Sequence, residues 1–426
     1  MASAQALWFS RGHVSNEIAG SWYFEGCDRM PSVEVMSAAD LRAPTAPGLD
    51  SRGLIAAVVL GTLGALTIMV VPGFVMLVGG QGSLDDSQVG YVASWDINAS
   101  AAAIGVATFL IARWRWRRLA LIGLALIAVG NVLTAENHTF TAIVAARICT
   151  GLGEGLAIAV AFAALGSAAN PDRAFGIYLV FGLAASAAIL AVLPALELRF
   201  GSPAVFTAMA VVTLLSMVLL RWLPVGSNAP AVQARGVIPF SKYLACAGLM
   251  GVFLYFIAQG AIWSYFERIA AASGVDPNVI GAAMGASSFA GVGGAAAAVA
   301  LVDPCGRRWP LMASGLISLV SFWLLRGHVT GGELMIAGLL FNFAWNLAQP
   351  LLSGVCSDAD CRGRVVVAMG CIQTVGFGIG PAMTATLLRG GDFRPPLAVS
   401  AAMVIVSLIV VLSGIRAHAR VMPATA

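Results

Sequence analysis

Charge is scarce in this sequence. Asp, Glu, Lys and Arg together make up 10% of 426 residues, where a soluble globular protein carries about 25%. Lysine occurs once, at Lys242, and histidine at four positions (13, 138, 328 and 418), all in tails or breaks rather than inside an apolar run. No segment reads G-x-x-x-x-G-K-[ST], so there is no phosphate-binding loop and no sign of ATP-driven work. The seven cysteines (27, 149, 246, 305, 356, 361 and 371) mostly lie in apolar runs or in short segments placed on the cytoplasmic side, which argues against disulfides. Cys356 and Cys361 have no histidine near them and read as small apolar fillers rather than metal ligands. No metal, cofactor or nucleic-acid site is expected, and no Ser–His pair stands within the apolar runs.

What fills the space is apolar. Hydrophobic residues make up 59% of the chain and the mean hydropathy is +0.89. Forty-eight glycines and 15 methionines suit closely packed helices in lipid. The chain is expected to be an all-α polytopic membrane protein. Residues 1–52 are polar and broken by proline, with no run long enough for a signal peptide, and Met30 and Met36 are alternative starts. Twelve apolar spans follow, at 53–79, 89–112, 117–135, 139–166, 174–196, 203–223, 240–266, 277–302, 309–327, 331–355, 364–389 and 396–415.

A polar break at 224–239 divides them into two six-helix bundles, 53–223 and 240–415, with a tail at 416–426. An offset of 190 residues maps Gly53 onto Tyr243 and Arg113–Arg118 onto Asp303–Arg308, so the halves read as parallel repeats. Placing both termini in the cytoplasm puts 18 of the 24 basic residues inside.

The stretch Phe140–Ser167 is almost wholly apolar, yet it holds Arg147 and Glu154. A charge at bilayer depth costs several kcal/mol unless it is paired or faces water. Residues 147 and 154 are seven apart and share a helix face. Asp96, in the second span, lies at a depth similar to that of Arg147, and pairing across adjacent helices lowers the cost of both. Glu154 lies deeper, near the midplane. A purely structural ion pair, or an Asp96 facing water near the mouth, is the plainer reading. Low dielectric favours a neutral carboxyl, and Arg147 opposes that in whichever acid it holds.

Two breaks carry basic clusters. Arg113-Trp-Arg-Trp-Arg-Arg118 reads first as an interfacial anchor. Asp303-Pro-Cys-Gly306-Arg307-Arg308 combines a turn glycine with an acid and two bases, which suits a latch between helix ends that biases a rocking protein between two states. Twelve spans in two halves, this cytoplasmic break between second and third helices, and R-x-x-x-G-x-G-x-G in the fourth (Arg147, Gly151, Gly153, Gly155) resemble the major facilitator superfamily from residue 53 to about 415.

The superfamily's loop pattern, roughly G-x-x-x-D-R-x-G-R-R, is met in the second half by Asp303, Gly306, Arg307 and Arg308, with Val299 in place of the leading glycine. In the first half Arg113 and Trp116 stand at the acid and glycine positions, leaving Arg117 and Arg118. The resemblance implies that the Arg147 face lines a central cavity, that Arg147 serves proton coupling or gating, and that Glu154 or Asp96 accepts the proton. Glu154 is the expected titrating group and Asp96 the expected partner of Arg147.

The expected solute-binding candidates are Asn98, Gln259, Trp263, Tyr265, Asn342, Trp345, Asn346 and Gln373. Amides and indoles at cavity depth suit an organic solute with an apolar body, and interhelical hydrogen bonding is the plainer role for each. Glu267 and Arg268 read as an outer gate or surface charges. Gln373 precedes Gly376, Gly378, Gly380 and Pro381, where a flexible or kinked segment is expected. Arg117, Arg118, Asp303, Gly306, Arg307 and Arg308 are the expected cytoplasmic gate.

The expected activity is secondary transport by alternating access, not enzyme catalysis. The solute is a small organic molecule, partly aromatic and anionic, coupled to H⁺, carried by a monomer in a bacterial inner membrane. Proton-driven efflux of amphipathic compounds, and a receptor or scaffold that does not transport, stand as rivals.

Overall fold

A computed structural model of the chain describes residues 49–81, 84–111, 113–168, 171–224, 241–359 and 364–421. Most of the expected N-terminal tail, the linker 225–239 and the last five residues lie outside the described residues, as does the side chain of Asp303.

The regular structure of the described residues is helical, apart from one isolated bridge between Arg389 and Asp392. In order the helices are α1 (Ser51–Met69), α2 (Val71–Gly79), α3 (Asp86–Leu110), α4 (Trp116–Glu136), α5 (Phe140–Gly166), α6 (Pro171–Phe200) and α7 (Ser202–Ser216), which tightens into a 3-10 turn at Met217–Trp222. After the linker come α8 (Lys242–Ser264), α9 (Phe266–Ala272), α10 (Pro277–Cys305), α11 (Arg308–Leu324), α12 (Gly331–Ala359), α13 (Arg364–Leu387) and α14 (Arg394–Val421). Among the described residues nine helices are long and apolar enough to cross a bilayer.

Each expected span coincides with one helix or one broken pair. The break between α1 and α2 falls at Val70, because Pro72 has no N–H to give the Ile68 carbonyl. Local chemistry sets the starts: Asp50 caps α1, Asp85 and Gln88 form a capping box on α3, and Ser241 and Asp276 cap α8 and α10. Gly306, at φ 63°, makes the left-handed turn between α10 and α11 that a side chain would oppose.

Phe109, Val180, Leu198, Leu215, Leu316 and Trp323 are exposed, which suits a surface wetted by lipid tails rather than water. In the first half α3, α4 and α1 pack around α5; in the second, α13 and α14 pack on α8, and α10 and α11 on α12. The halves meet along α3 against α13 and α6 against α10.

The glycines of α5 explain how tightly this core closes. A Cβ at Gly151 would stand 2.2 Å from the Asp96 carbonyl and one at Gly155 2.3 Å from that of Ser100, both on α3. A Cβ at Gly153 would stand 2.4 Å from the Gly123 carbonyl on α4. The motif therefore alternates between two neighbours, letting both backbones touch α5. The segment expected to flex or kink after Gln373 does not end the helix: α13 is continuous from Arg364 to Leu387, with Pro381 inside it. Gly376 and Gly380 instead bring α13 against the α8 backbone.

Candidate functional site

Four helices bury one polar cluster. Arg147, fully buried on α5, gives its Nε and Nη2 hydrogens to a single oxygen of Asp96 on α3, at 3.1 and 2.6 Å. Its Nη1 bonds Asn131 on α4 at 2.9 Å, and Nη2 also reaches Thr67 on α1 at 3.3 Å. The Thr67 hydroxyl donates to Glu154 Oε1 at 2.5 Å, while Arg147 Nη2 stands 3.9 Å from that oxygen. Phe74 lies over the guanidinium at 4.5 Å and Phe206 at 5.9 Å, a face that a cation favours.

With both carboxylates ionised the cluster holds one positive and two negative charges, and one proton makes it neutral. Asp96 Oδ1 and Glu154 Oε2 are buried with no protein partner, so the set has room for that proton. In this conformation Phe74 and Phe206 cover Arg147, which is spent on its neighbours rather than open to a solute.

The second half gathers aromatics and amides between α8 and α12. Trp263 stacks on Phe341 at 5.4 Å, Trp345 stacks on Phe377 at 5.3 Å, and Tyr255 reaches the Ala344 carbonyl at 3.4 Å. Gln259, one turn from both Tyr255 and Trp263, is fully buried with neither amide atom partnered. The Trp345 N–H is also unpartnered. Asn342 bonds Ser287 on α10 at 3.2 Å, and Asn346 bonds the Asn342 carbonyl at 2.9 Å. Gln373 is buried on α13. Asn98 bonds the Ser94 carbonyl at 2.8 Å and its amide lies against Gly378, across the seam between the halves.

Tyr265 stands apart from this group. Its hydroxyl donates to the Asp86 carbonyl at 2.6 Å, and Arg268 pairs with the Asp86 carboxylate. Tyr91 bonds Thr386 at 2.8 Å nearby. These contacts join the halves at the end that carries the breaks after α2, α9 and α13. Glu267, just beyond the apolar helix Lys242–Ser264, is pushed up to about 7 by burial and by the neighbouring Glu197 carboxylate.

At the opposite helix ends, Arg117 bonds the Leu223 carbonyl at 2.7 Å, and Arg307 pairs with Asp358 at the end of α12. Both contacts stay within one half. Arg118 and Arg308 are exposed, and Gly306 makes the turn already described. Thr67, Asn131, Phe74 and Asp86 were not singled out by sequence reasoning. Asn131 carries the clearest signal, as an amide inside an apolar span. Among the described residues no group of His, Cys, Asp and Glu is placed to hold a metal ion.

The model of the Major Facilitator Superfamily matches residues 53–244 and 248–424. The chain belongs to that superfamily. It is 26% identical over 271 residues to the 3-(3-hydroxy-phenyl)propionate transporter of Escherichia coli, covering 58% of this chain and 67% of that one. Among solved structures it resembles the nucleoside transporter NupG, with a TM-score of 0.68 at 14% identity over 85% of this chain and 98% of the other. A D-xylose–proton symporter gives 0.67 at 14% identity, over 84% and 96%. At that identity the likeness is one of fold. As a Major Facilitator Superfamily member the chain is a multi-pass membrane transporter of small solutes, and transport rather than enzyme catalysis is its activity.

Proposed function

We propose that this transporter moves a small organic anion of aromatic character together with H⁺, by alternating access of 53–223 against 240–415 through twelve crossings. The observation that carries the reading is the Asp96–Arg147–Glu154 cluster, whose three charges balance only with one proton aboard. Protons fit this site better than sodium, since Thr67 and Arg147 fill the space a hard cation's oxygen ligands would need. Glu154 carries the proton and Asp96 holds Arg147.

Solute selection belongs to Gln259, Trp263, Asn342, Trp345, Asn346, Asn98 and Gln373, with Tyr265 reassigned to the seal between halves. The unspent amide of Gln259 and indole N–H of Trp345, set among stacked rings, suit a flat apolar body with a few polar groups. The relative whose name specifies a phenylpropionate supports the aromatic carboxylate class. The protein acts as a monomer in a bacterial inner membrane, both termini cytoplasmic, with Arg117, Arg118, Asp303, Gly306, Arg307 and Arg308 forming the cytoplasmic gate.

The test is flux into proteoliposomes over a panel of aromatic carboxylates and amphipathic cations, with and without an imposed pH gradient. An inward proton gradient is expected to raise carboxylate accumulation at least tenfold, and Glu154→Gln to remove that response. Accumulation indifferent to the gradient sinks the coupling. The aromatic lining also suits amphipathic cations, and gradient-driven expulsion of these instead would transfer the reading to efflux.

A further inference from the structure

Thr67 hydrogen-bonds two members of the buried charge set, Arg147 and Glu154. Its hydroxyl receives an Arg147 N–H at 3.3 Å and gives its own hydrogen to Glu154 at 2.5 Å. An ionised carboxylate only accepts and a guanidinium only donates, so this direction is forced while Glu154 is charged. Direct contact between Arg147 and Glu154 is too long for a hydrogen bond, at 3.9 Å. Thr67 therefore stands between them. It is held there by backbone packing one turn earlier, where a Cβ at Gly64 would lie 2.8 Å from the Glu154 carbonyl.

We propose that Thr67 is a positioning residue for the proton step: its hydroxyl sets the proton affinity of Glu154 and changes hydrogen-bond direction when the carboxyl is protonated. This rests on Glu154 being the proton carrier. When Glu154 takes its proton on Oε1, the oxygen that faces Thr67, Thr67 Oγ is the acceptor already in reach. Once it accepts that hydrogen, the Thr67 proton turns to the Leu63 carbonyl four residues back, a bond that threonine makes readily in helices and that bends them. The proton passes to Glu154 from water and no other bond is made or broken.

The position gives that reversal consequence. Thr67 lies two residues before the end of α1 at Met69, ahead of the break at Val70. Beyond the break, α2 carries Phe74 over the Arg147 guanidinium, and its last residue, Gly79, lies against Arg268 of the second half. A bend at the joint therefore moves both the cover of the charge cluster and one wall of the seal.

Infrared titration of the purified protein in liposomes, without solute, tests this. The protonated-carboxyl band of Glu154 is identified by its loss in Glu154→Gln. Thr67→Val, of nearly equal volume but without the hydroxyl, is expected to move the band's midpoint by one pH unit or more, a tenfold change in proton affinity. Thr67→Ser is expected to restore it. Amide exchange over residues 66–74 should change between the two protonation states in the wild type and lose that response in Thr67→Val. A midpoint in Thr67→Val equal to that of the wild type, or a Thr67→Ser variant that behaves as Thr67→Val, overturns the assignment while leaving Glu154 as proton carrier. Absence of a Glu154 band in the wild type overturns the carrier itself.

Discussion

Arg147 spends its guanidinium on three partners and an aromatic face at once. A lysine ammonium has three donors and no plane, so it cannot hold Asp96 and Asn131 while lying on Phe74. Arg147→Met leaves two carboxyls buried without a cation, and a loss of roughly 3–5 kcal/mol is expected, read as a lowered thermal midpoint in detergent. Asn131→Leu should cost about 1–3 kcal/mol, because it strands one buried N–H donor. Equal midpoints for wild type and Arg147→Met would show that the cluster is hydrated rather than dry.

At the level of helices, the packing of α5 depends on missing side chains. Gly151→Ala forces a methyl toward the Asp96 carbonyl, which would otherwise be 2.2 Å away. Since the methyl is fixed to one helix and meets the backbone of the other, the helices must separate, at a cost of about 1–3 kcal/mol. Asp96 moves with them, so the variant is expected to lose gradient-driven flux as well. Gly105→Ala on α3 is the matched control: nothing lies within 4 Å of its Cβ, and stability should rise by up to about 1 kcal/mol. Thermal unfolding of the two variants side by side checks the contrast, and equal effects would refute the close-contact account.

Across the whole molecule, Asp86, Tyr265 and Arg268 hold the halves together at one end. Asp86→Asn removes the charge but keeps the Tyr265 bond to the backbone, and is expected to raise the reactivity of cysteines introduced near that seal by several-fold. Glu267 adds a pH term to the same contact. The charged group that acts on it is Glu197 on α6, across the two halves, while Arg268, its neighbour in sequence, pairs with Asp86 on α3. Its raised proton affinity belongs to the closed seal, so the contribution is fully present below the ordinary carboxylate range and is lost as pH rises toward about 7. The seal should thus loosen between about pH 4.5 and 7, and Glu267→Gln should flatten that dependence in the same labelling assay. A slope unchanged by that substitution would remove Glu267 from the account.

The amino-acid sequence by itself determined the membrane class, the course of the helices and the need for an explanation of Arg147 and Glu154. Run length, apolar composition and the cost of charge in lipid are local quantities, and they can be summed along the chain. Asp96 was legible as a partner because depth on adjacent helices can be counted in residues. Thr67 and Asn131 were not, because a threonine or asparagine in an apolar run is ordinarily satisfied by its own helix. Only the tertiary structure decided that these two face Arg147, that the Tyr265 hydroxyl meets the Asp86 carbonyl across the halves, and that Asp86 receives Arg268. Those outcomes depend on the rotation of each helix about its own axis, which glycine contacts such as Gly151 against Asp96 fix between chains far apart in sequence.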